Sequence, residues 1–331
     1  MVKRNNSAPT MKDVAKLAGV SLGTVSKVIN GISVGKDYRE RVESAAKALG
    51  YTVNSYARGL KTNRTYCVAL VLPSLRHPFF ASLADEVAAC LKERGYRCIL
   101  MITNFDAAVE RESFILVRQN KADGVIALTY SPDIDVDPSL PVVAIDRRFA
   151  PGLPCVSSDN YGGGRLAAET LLSLGCRRPL LLHIGADVSG EPHRRGSGFL
   201  DGCAAHGVDC ASVVLRESET EAGFYRYLDA HTAGGRADFD GVFCSSDGLA
   251  VRVRSYLAER GVNVPEDVQI IGFDGVVNYA TGRYDCSTIV QPVAEMARTA
   301  VELLLSGEHS AAGQDIRLSV RYASCGTTKD Q

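Results

Sequence analysis

From Thr65 onward the chain alternates short, nearly continuous apolar runs with amphipathic stretches, and this rhythm restricts the fold more than any other feature. The runs at 67–72, 97–103, 124–129, 141–145, 180–185, 241–245 and 269–273 have the character of strands. The segments near 79–94, 107–120, 161–175, 195–207, 221–232 and 248–261 carry apolar residues at helical spacing. Strands apolar on both faces and separated by helices predict parallel sheets covered on both sides. About 260 residues in this pattern exceed one sheet, so two α/β lobes are expected. Ligands of such sheets lie beyond the C-terminal ends of the strands, which directs attention to the residues just after each one.

Those residues are polar and aromatic. Ser74 and His77-Pro78-Phe79-Phe80 follow the first run, Asp146-Arg147 the fourth, Ser245-Ser246-Asp247 the sixth, and Asp274 ends the seventh. Aromatic faces stack on flat, partly apolar rings, while carboxylates and guanidiniums bracket pairs of hydroxyls, so the pattern suits a polyhydroxylated ligand. Asp247 is expected to cap the helix that follows it. Enzyme signatures are missing. Gly162-Gly163-Gly164 lacks the lysine of a phosphate loop, Gly196-Ser197-Gly198 is not a nucleophile elbow, and no dinucleotide fingerprint or H-E-x-x-H occurs. The ten cysteines include no C-x₂₋₄-C pair, and the histidines show no ligand spacing. Neither a metal nor a cofactor is expected, and the thiols are read as structural.

The first 64 residues differ in character. They hold 12 Lys+Arg against 4 Asp+Glu, whereas the remainder holds 25 against 34, so the net charge of −1 is a cancellation of +8 by −9. A short basic segment on an acidic body suggests a polyanion-binding module. Within it, Asp13–Val20 and Ser21–Asn30 form two short amphipathic helices around Gly19, with Ser21 as N-cap. Val14, Leu17, Val20, Val25, Val28 and Ile29 supply a shared seam, and a third helix near 38–49 closes it with Val42, Ala45, Ala46 and Leu49. This is a helix-turn-helix, whose second helix enters the major groove. Leu22, Gly23 and Lys27 point away from the seam towards base edges, Lys27 as a donor to guanine. Thr24, Ser26 and Asn30 are placed for phosphates.

The run Asp13-Val14-Ala15, Ala18-Gly19-Val20-Ser21 and Thr24-Val25-Ser26-Lys27-Val28-Ile29-Asn30 resembles the DNA-binding head of the lac repressor/galactose repressor family of bacterial transcription regulators. Arg41-Val42, Ala45-Ala46 and Leu49-Gly50-Tyr51 resemble that family's third helix and its exit. The resemblance implies a DNA-contact set of Ser21, Leu22, Gly23, Thr24, Ser26, Lys27 and Asn30. Asn54–Lys61 corresponds to the family's hinge helix, which lies in the minor groove with Leu60 as the wedge and Ala57 packed one turn earlier. Val53 replaces a frequent proline, and Gly59 costs the helix about 1 kcal/mol, so the hinge is expected to order only on DNA.

The body resembles the type I periplasmic-sugar-binding fold. His77-Pro78-Phe79-Phe80 is similar to the family's N-P-F-F stretch, with His for Asn, and Ser246 stands where an asparagine is usual. Arg195 matches a ligand-clamping arginine, Asp274 a hydroxyl acceptor, and Gln291-Pro292 a closing segment. The implied effector set is Ser74, Phe79, Phe80, Asp146, Arg147, Arg195, Ser246, Asp274 and Gln291.

The expected architecture is therefore α/β: a three-helix head over 1–53, a hinge helix and linker over 54–64, and a two-lobed body over 65–331. Its N-lobe takes about 65–158 and 288–318, and its C-lobe about 159–287 and 319–331. The expected function is that of a repressor whose affinity for a pseudo-palindromic double-stranded operator is set by a small effector, a carbohydrate first and a nucleoside second. A solute-binding protein and a sugar-processing enzyme are the rival readings. The polar, basic first ten residues and the lack of any apolar run near 18 residues point to a cytoplasmic chain with no membrane partner. The five residues after Gly326 hold no heptads, so a homodimer is expected rather than a coiled-coil tetramer.

Overall fold

The computed structural model describes residues 9–29, 32–51, 64–131, 134–185, 190–216, 219–306 and 313–329. The chain divides into two units, 1–65 and 66–331. The first contains α1 (Met11–Ala18), α2 (Leu22–Ile29) and α3 (Lys36–Leu49). Val14, Val25 and Val42 are fully enclosed, with Ala15, Ala18 and Ala45 small enough to let the helices cross closely. Leu17, expected in the seam, is 56% exposed. At 100° per residue it stands about 100° round the helix from the centre of the face formed by Val14, Ala15 and Ala18, so an eight-residue helix cannot bury it too. Val20, Val28 and Ile29 pack at the edge of this core, half-buried.

The second unit is built on two six-stranded sheets. The first sheet holds β1 (Cys67–Leu72), β2 (Arg97–Ile102), β3 (Gly124–Ala127), β4 (Val142–Ile145), β5 (Cys155–Ser158) and, from much later in the chain, β11 (Asp315–Leu318). Its strands run parallel in the order β11-β5-β4-β3-β1-β2. Alternation along β1 sends Val68, Leu70 and Leu72 to one face, under α4 (Pro78–Glu93) and α10 (Val293–Leu305). Ala69 and Val71 face the opposite way, against Phe114 and Val117 of α5 (Ala107–Gln119).

The second sheet holds β6 (Pro179–Gly185), β7 (Ala211–Arg216), β8 (Gly241–Cys244), β9 (Gln269–Asp274), β10 (Ser287–Val290) and β12 (Arg321–Ala323). Its order is β12-β10-β9-β8-β6-β7, and only β12 runs antiparallel to its neighbour. On one face lie α6 (Asn160–Ser173) and α7 (Arg194–Ala205), whose Leu171, Phe199 and Cys203 pack on Leu181, Phe243 and Phe273. On the other lie α8 (Ala222–Ala230) and α9 (Asp247–Ala258), with Phe224, Leu228 and Val253 against Leu180, Val242 and Ile270.

Among the described residues, the two large sheets and their helices include six elements beyond those expected: β5, β7, β10, β11, β12 and α10. β7, β11 and β12 are edge strands with exposed positions and no buried residue, so none shows a continuous buried apolar run. β10 pairs with β9, which places the second crossing between lobes after Val290 rather than before Thr288. The glycine-rich segments also gain a purpose. A Cβ on Gly164 would stand 1.9 Å from the Arg195 carbonyl oxygen, and one on Gly198 would stand 2.1 Å from that of Tyr161. These glycines let α6 and α7 touch backbone to backbone, which fixes where the first turn of α7 points.

Candidate DNA interface and ligand cleft

In the head, Thr10 and Asp13 form a capping box at the start of α1: the Thr10 amide donates to Asp13 Oδ2 at 2.8 Å, and the Asp13 amide donates to Thr10 Oγ1 at 3.4 Å. Hydrogen bonds from Thr10 hold the Asp13 carboxyl below its ordinary range. Gly19 takes φ +63° to end the helix, and Arg41 of α3 donates to the Ala18 and Gly19 carbonyls at 2.7 and 3.0 Å. The third helix thus clamps the turn between the first two. Ser21 caps α2, its Oγ accepting from the Thr24 amide at 3.1 Å. Leu22, Gly23 and Lys27 are exposed, while Thr24 and Ser26 are half-buried beside them. The recognition face therefore combines an apolar tip with one lysine. Asn30, Ala57 and Leu60, with the whole expected hinge helix, lie outside the described residues.

In the body, a cavity of about 1160 Å³ opens between the two sheets at the C-terminal ends of their strands, and all nine expected residues line it. Asp274 ends β9 in a strained conformation, φ +128°. Its Oδ1 accepts from Gln291 Nε2 at 2.9 Å and lies 3.8 Å from Arg195 Nη1. Gln291 in turn accepts from Ser158 Oγ at 2.8 Å, so two of the crossing segments are tied to each other and to the acid. Asp146, also at positive φ (+58°), sits at the end of β4. Among the described residues, nothing donates to the buried Asp146 Oδ1 or Asp274 Oδ2.

Arg195 opens α7. Its Nε and Nη2 both donate to Asn160 Oδ1, at 3.0 and 2.7 Å, its Nη1 donates to the Ser245 carbonyl at 2.6 Å, and its guanidinium lies 3.8 Å over the Phe273 ring. Arg147 stacks 4.0 Å over Tyr130, which follows β3. Phe79 and Phe80 serve the cleft wall and the N-lobe core together. Ser74 accepts from the Arg76 amide at 3.0 Å, which shapes the turn after β1.

Burial sets the charges. It raises the Asp146 carboxyl to about 6 although Arg195 and Arg147 pull the other way, and it raises Asp274 and Asp247 as well. His77 is lowered to about 4 by burial and by the nearby Arg195 and Arg252, so its ring is neutral near pH 7. Its Nε2 stands 3.8 Å from Asp274 Oδ2, across the boundary between lobes. A second bridge is Glu191, whose amide donates to the Asp146 carbonyl at 3.2 Å and whose carboxylate pairs with Arg317 of β11 at 3.0 Å.

One expectation is corrected here. Ser246, not Asp247, caps α9, its Oγ accepting from the Leu249 amide at 3.3 Å. Asp247 instead accepts from the Val276 amide and the Thr288 hydroxyl, pinning the loop after β9 to β10. Asn160, Tyr130, Phe105 and Glu191 are additions. Tyr130 was reachable by the rule that residues after strands matter; Asn160 was hidden in a helix start that looked only like a defective phosphate loop.

A model of the bacterial regulatory proteins of the lacI family matches residues 10–54, and one of the periplasmic binding protein-like domain matches 168–323. The sucrose operon repressor of Streptococcus mutans serotype c is 32% identical over 95% of this chain and 98% of its own. A periplasmic binding protein/LacI transcriptional regulator from Alkaliphilus metalliredigens QYMF, solved with D-xylulofuranose, is 29% identical with TM-score 0.67 over 80% of this chain and all of its own. The lac repressor dimer bound to operator shares the fold, with TM-score 0.81 at 20% identity over 97% and 99% of the two chains. A helix-turn-helix head on a two-lobed ligand-binding body defines a DNA-binding transcription regulator. The chain belongs to the lacI family of bacterial regulatory proteins.

Proposed function

We propose that this regulator is a repressor that binds a pseudo-palindromic operator as a homodimer and answers to a saccharide held between its lobes. The observation that carries the effector reading is the pair of buried carboxylate oxygens, Asp146 Oδ1 and Asp274 Oδ2, which find no hydrogen-bond donor among the described residues beside the Arg195 guanidinium. Buried acceptors are rarely left unmatched, and a polyol presents the hydroxyl donors they lack. The likeness to a regulator solved with a bound pentulose supports the same class of ligand. Ser74, Phe79, Phe80, Arg147, Ser246 and Gln291 complete the proposed site. The DNA contacts are Ser21, Leu22, Gly23, Thr24, Ser26, Lys27 and Asn30, with Ala57 and Leu60 from the hinge.

The dimer reading rests on the N-lobe edge. β2 lies at the sheet margin with Ile99 and Leu100 exposed, and α5 adds exposed Ile115 and Leu116. An apolar sheet edge of this kind is normally covered by a partner. The protein acts in the cytoplasm, where its DNA is, and it has no catalytic role. Effector binding changes the relative population of lobe arrangements, and these set the affinity of the paired heads for DNA.

The test is a mobility shift at physiological salt on chromosomal fragments selected by the protein, with and without a panel of sugars. One sugar should change the affinity, and Arg195→Ala should abolish that change while leaving basal binding intact. Absence of specific binding, or an unchanged response in Arg195→Ala, would overturn the reading.

A further inference from the structure

Beyond the charged cluster, the cleft has a second end that a single sugar ring leaves uncovered. Phe105 follows β2, and it is 54% exposed, alone among the described large apolar side chains of the cavity in being so open. Asn104 and Phe105 both adopt left-handed backbone, φ +53° and +62°, which L side chains rarely do. The Asn104 amide donates to the Pro73 carbonyl at 2.9 Å, and Asp106 caps α5 through the Ala108 and Val109 amides, so the strained pair is held from both sides. Strain that serves no core contact and turns an aromatic ring towards a cavity points to a ligand.

The ring is not isolated. Phe105 meets Tyr130 edge-on with centroids 4.9 Å apart, and Tyr130 carries the Arg147 guanidinium at 4.0 Å on its face. Phe105 thus stands one aromatic ring farther out than Arg147 and Asp146. The cavity volume of about 1160 Å³ also exceeds the usual range of about 300–1,000 Å³ for small-molecule sites. The four acids lining it (Asp146, Asp247, Asp274, Asp285) and its four arginines (Arg76, Arg147, Arg195, Arg252) supply the acceptors and donors that bracket pairs of hydroxyls.

Building on the saccharide reading above, we propose that the effector is a disaccharide, with one ring among Asp146, Arg195 and Asp274 and the second stacked on the exposed face of Phe105. Sugar rings offer an apolar C–H face that an aromatic ring covers without hydrogen bonds, which fits a platform with no polar group of its own.

Calorimetry on the full chain tests this with sucrose, maltose, cellobiose and trehalose against D-glucose and D-fructose. One disaccharide should bind at least about tenfold tighter than either of its constituent sugars, since one aromatic stacking contact is worth roughly that factor. Phe105→Ala should remove that advantage and leave monosaccharide affinity within about twofold, while Phe105→Trp, which keeps an apolar face, should retain it. A monosaccharide binding as tightly as every disaccharide, or Phe105→Ala weakening both classes equally, would overturn the second subsite and leave the saccharide reading standing. Binding of none of these sugars would overturn the disaccharide proposal, and the mobility shift with the wider sugar panel then decides the saccharide reading.

Discussion

Asn160 Oδ1 receives two hydrogen bonds from the Arg195 guanidinium, and this pairing links the first residue of α6 to the first turn of α7. Asn160 is itself anchored, its Nδ2 donating to the Ser158 carbonyl at 3.0 Å. The arginine that faces both cleft acids is therefore aimed by a neutral amide attached to a crossing segment. Asn160→Ala should leave operator binding unchanged and weaken the sugar response about tenfold or more, because hydrogen bonds to a charged group contribute about 1.5–3 kcal/mol. Titration of the operator complex with the active sugar measures it; an unaltered midpoint would deny Asn160 its positioning role.

The contact of α6 with α7 makes a second prediction. A methyl at Gly164 would fall on the Arg195 carbonyl oxygen, which is backbone and cannot rotate away. Gly164→Ala should destabilise the body by about 1–3 kcal/mol and shift Arg195 away from Asp274. Urea unfolding of the two proteins reads the first effect, and loss of the sugar response reads the second.

Asp146 makes a pH prediction with a definite sign. Its carboxyl is raised to about 6 from an ordinary 3.8 by burial, so the folded protein prefers it protonated. The stability it contributes is fully present below pH 4 and is lost as pH rises through 6. Without effector, Asp146→Asn should be more stable than the parent at pH 7.5, by up to about 3 kcal/mol, and equal to it near pH 4. Denaturant midpoints at the two pH values check it. An advantage that does not shrink with acid would separate the effect from ionisation.

At the other end of the chain, Lys27 is exposed on α2 beyond a core closed by Val25. Lys27→Ala should cost operator binding about 1–3 kcal/mol and relax preference at one base position. Competition with single-base operator variants distinguishes this from a phosphate contact, which would weaken all sequences alike.

Much of the molecule was legible before its fold. The apolar runs identified the central strands because parallel sheets bury both faces, and the rule of looking just past strand ends led to Ser74, Asp146, Ser246 and Asp274. The three head helices followed from spacing and from Gly19, whose turn requires positive φ. The edge strands β7, β11 and β12 were not legible, since half-exposed strands carry no run to detect. Leu17 misled because an apolar residue at helical spacing is also permitted on the outside.

By itself, the sequence determined the class of fold, the division between a basic head and an acidic body, and the residue types around the cleft. These follow from local composition and periodicity, which act over a few turns of chain. Only the tertiary structure decided which groups meet. Gln291 reaches Asp274, Glu191 reaches Arg317, and Asn160 aims Arg195 because crossings between lobes bring distant segments within hydrogen-bond range. The same packing turned two glycine-rich segments that resembled failed catalytic loops into the close helix contact that seats the arginine. Contact distances of this kind depend on the whole assembled core, and no local pattern encodes them.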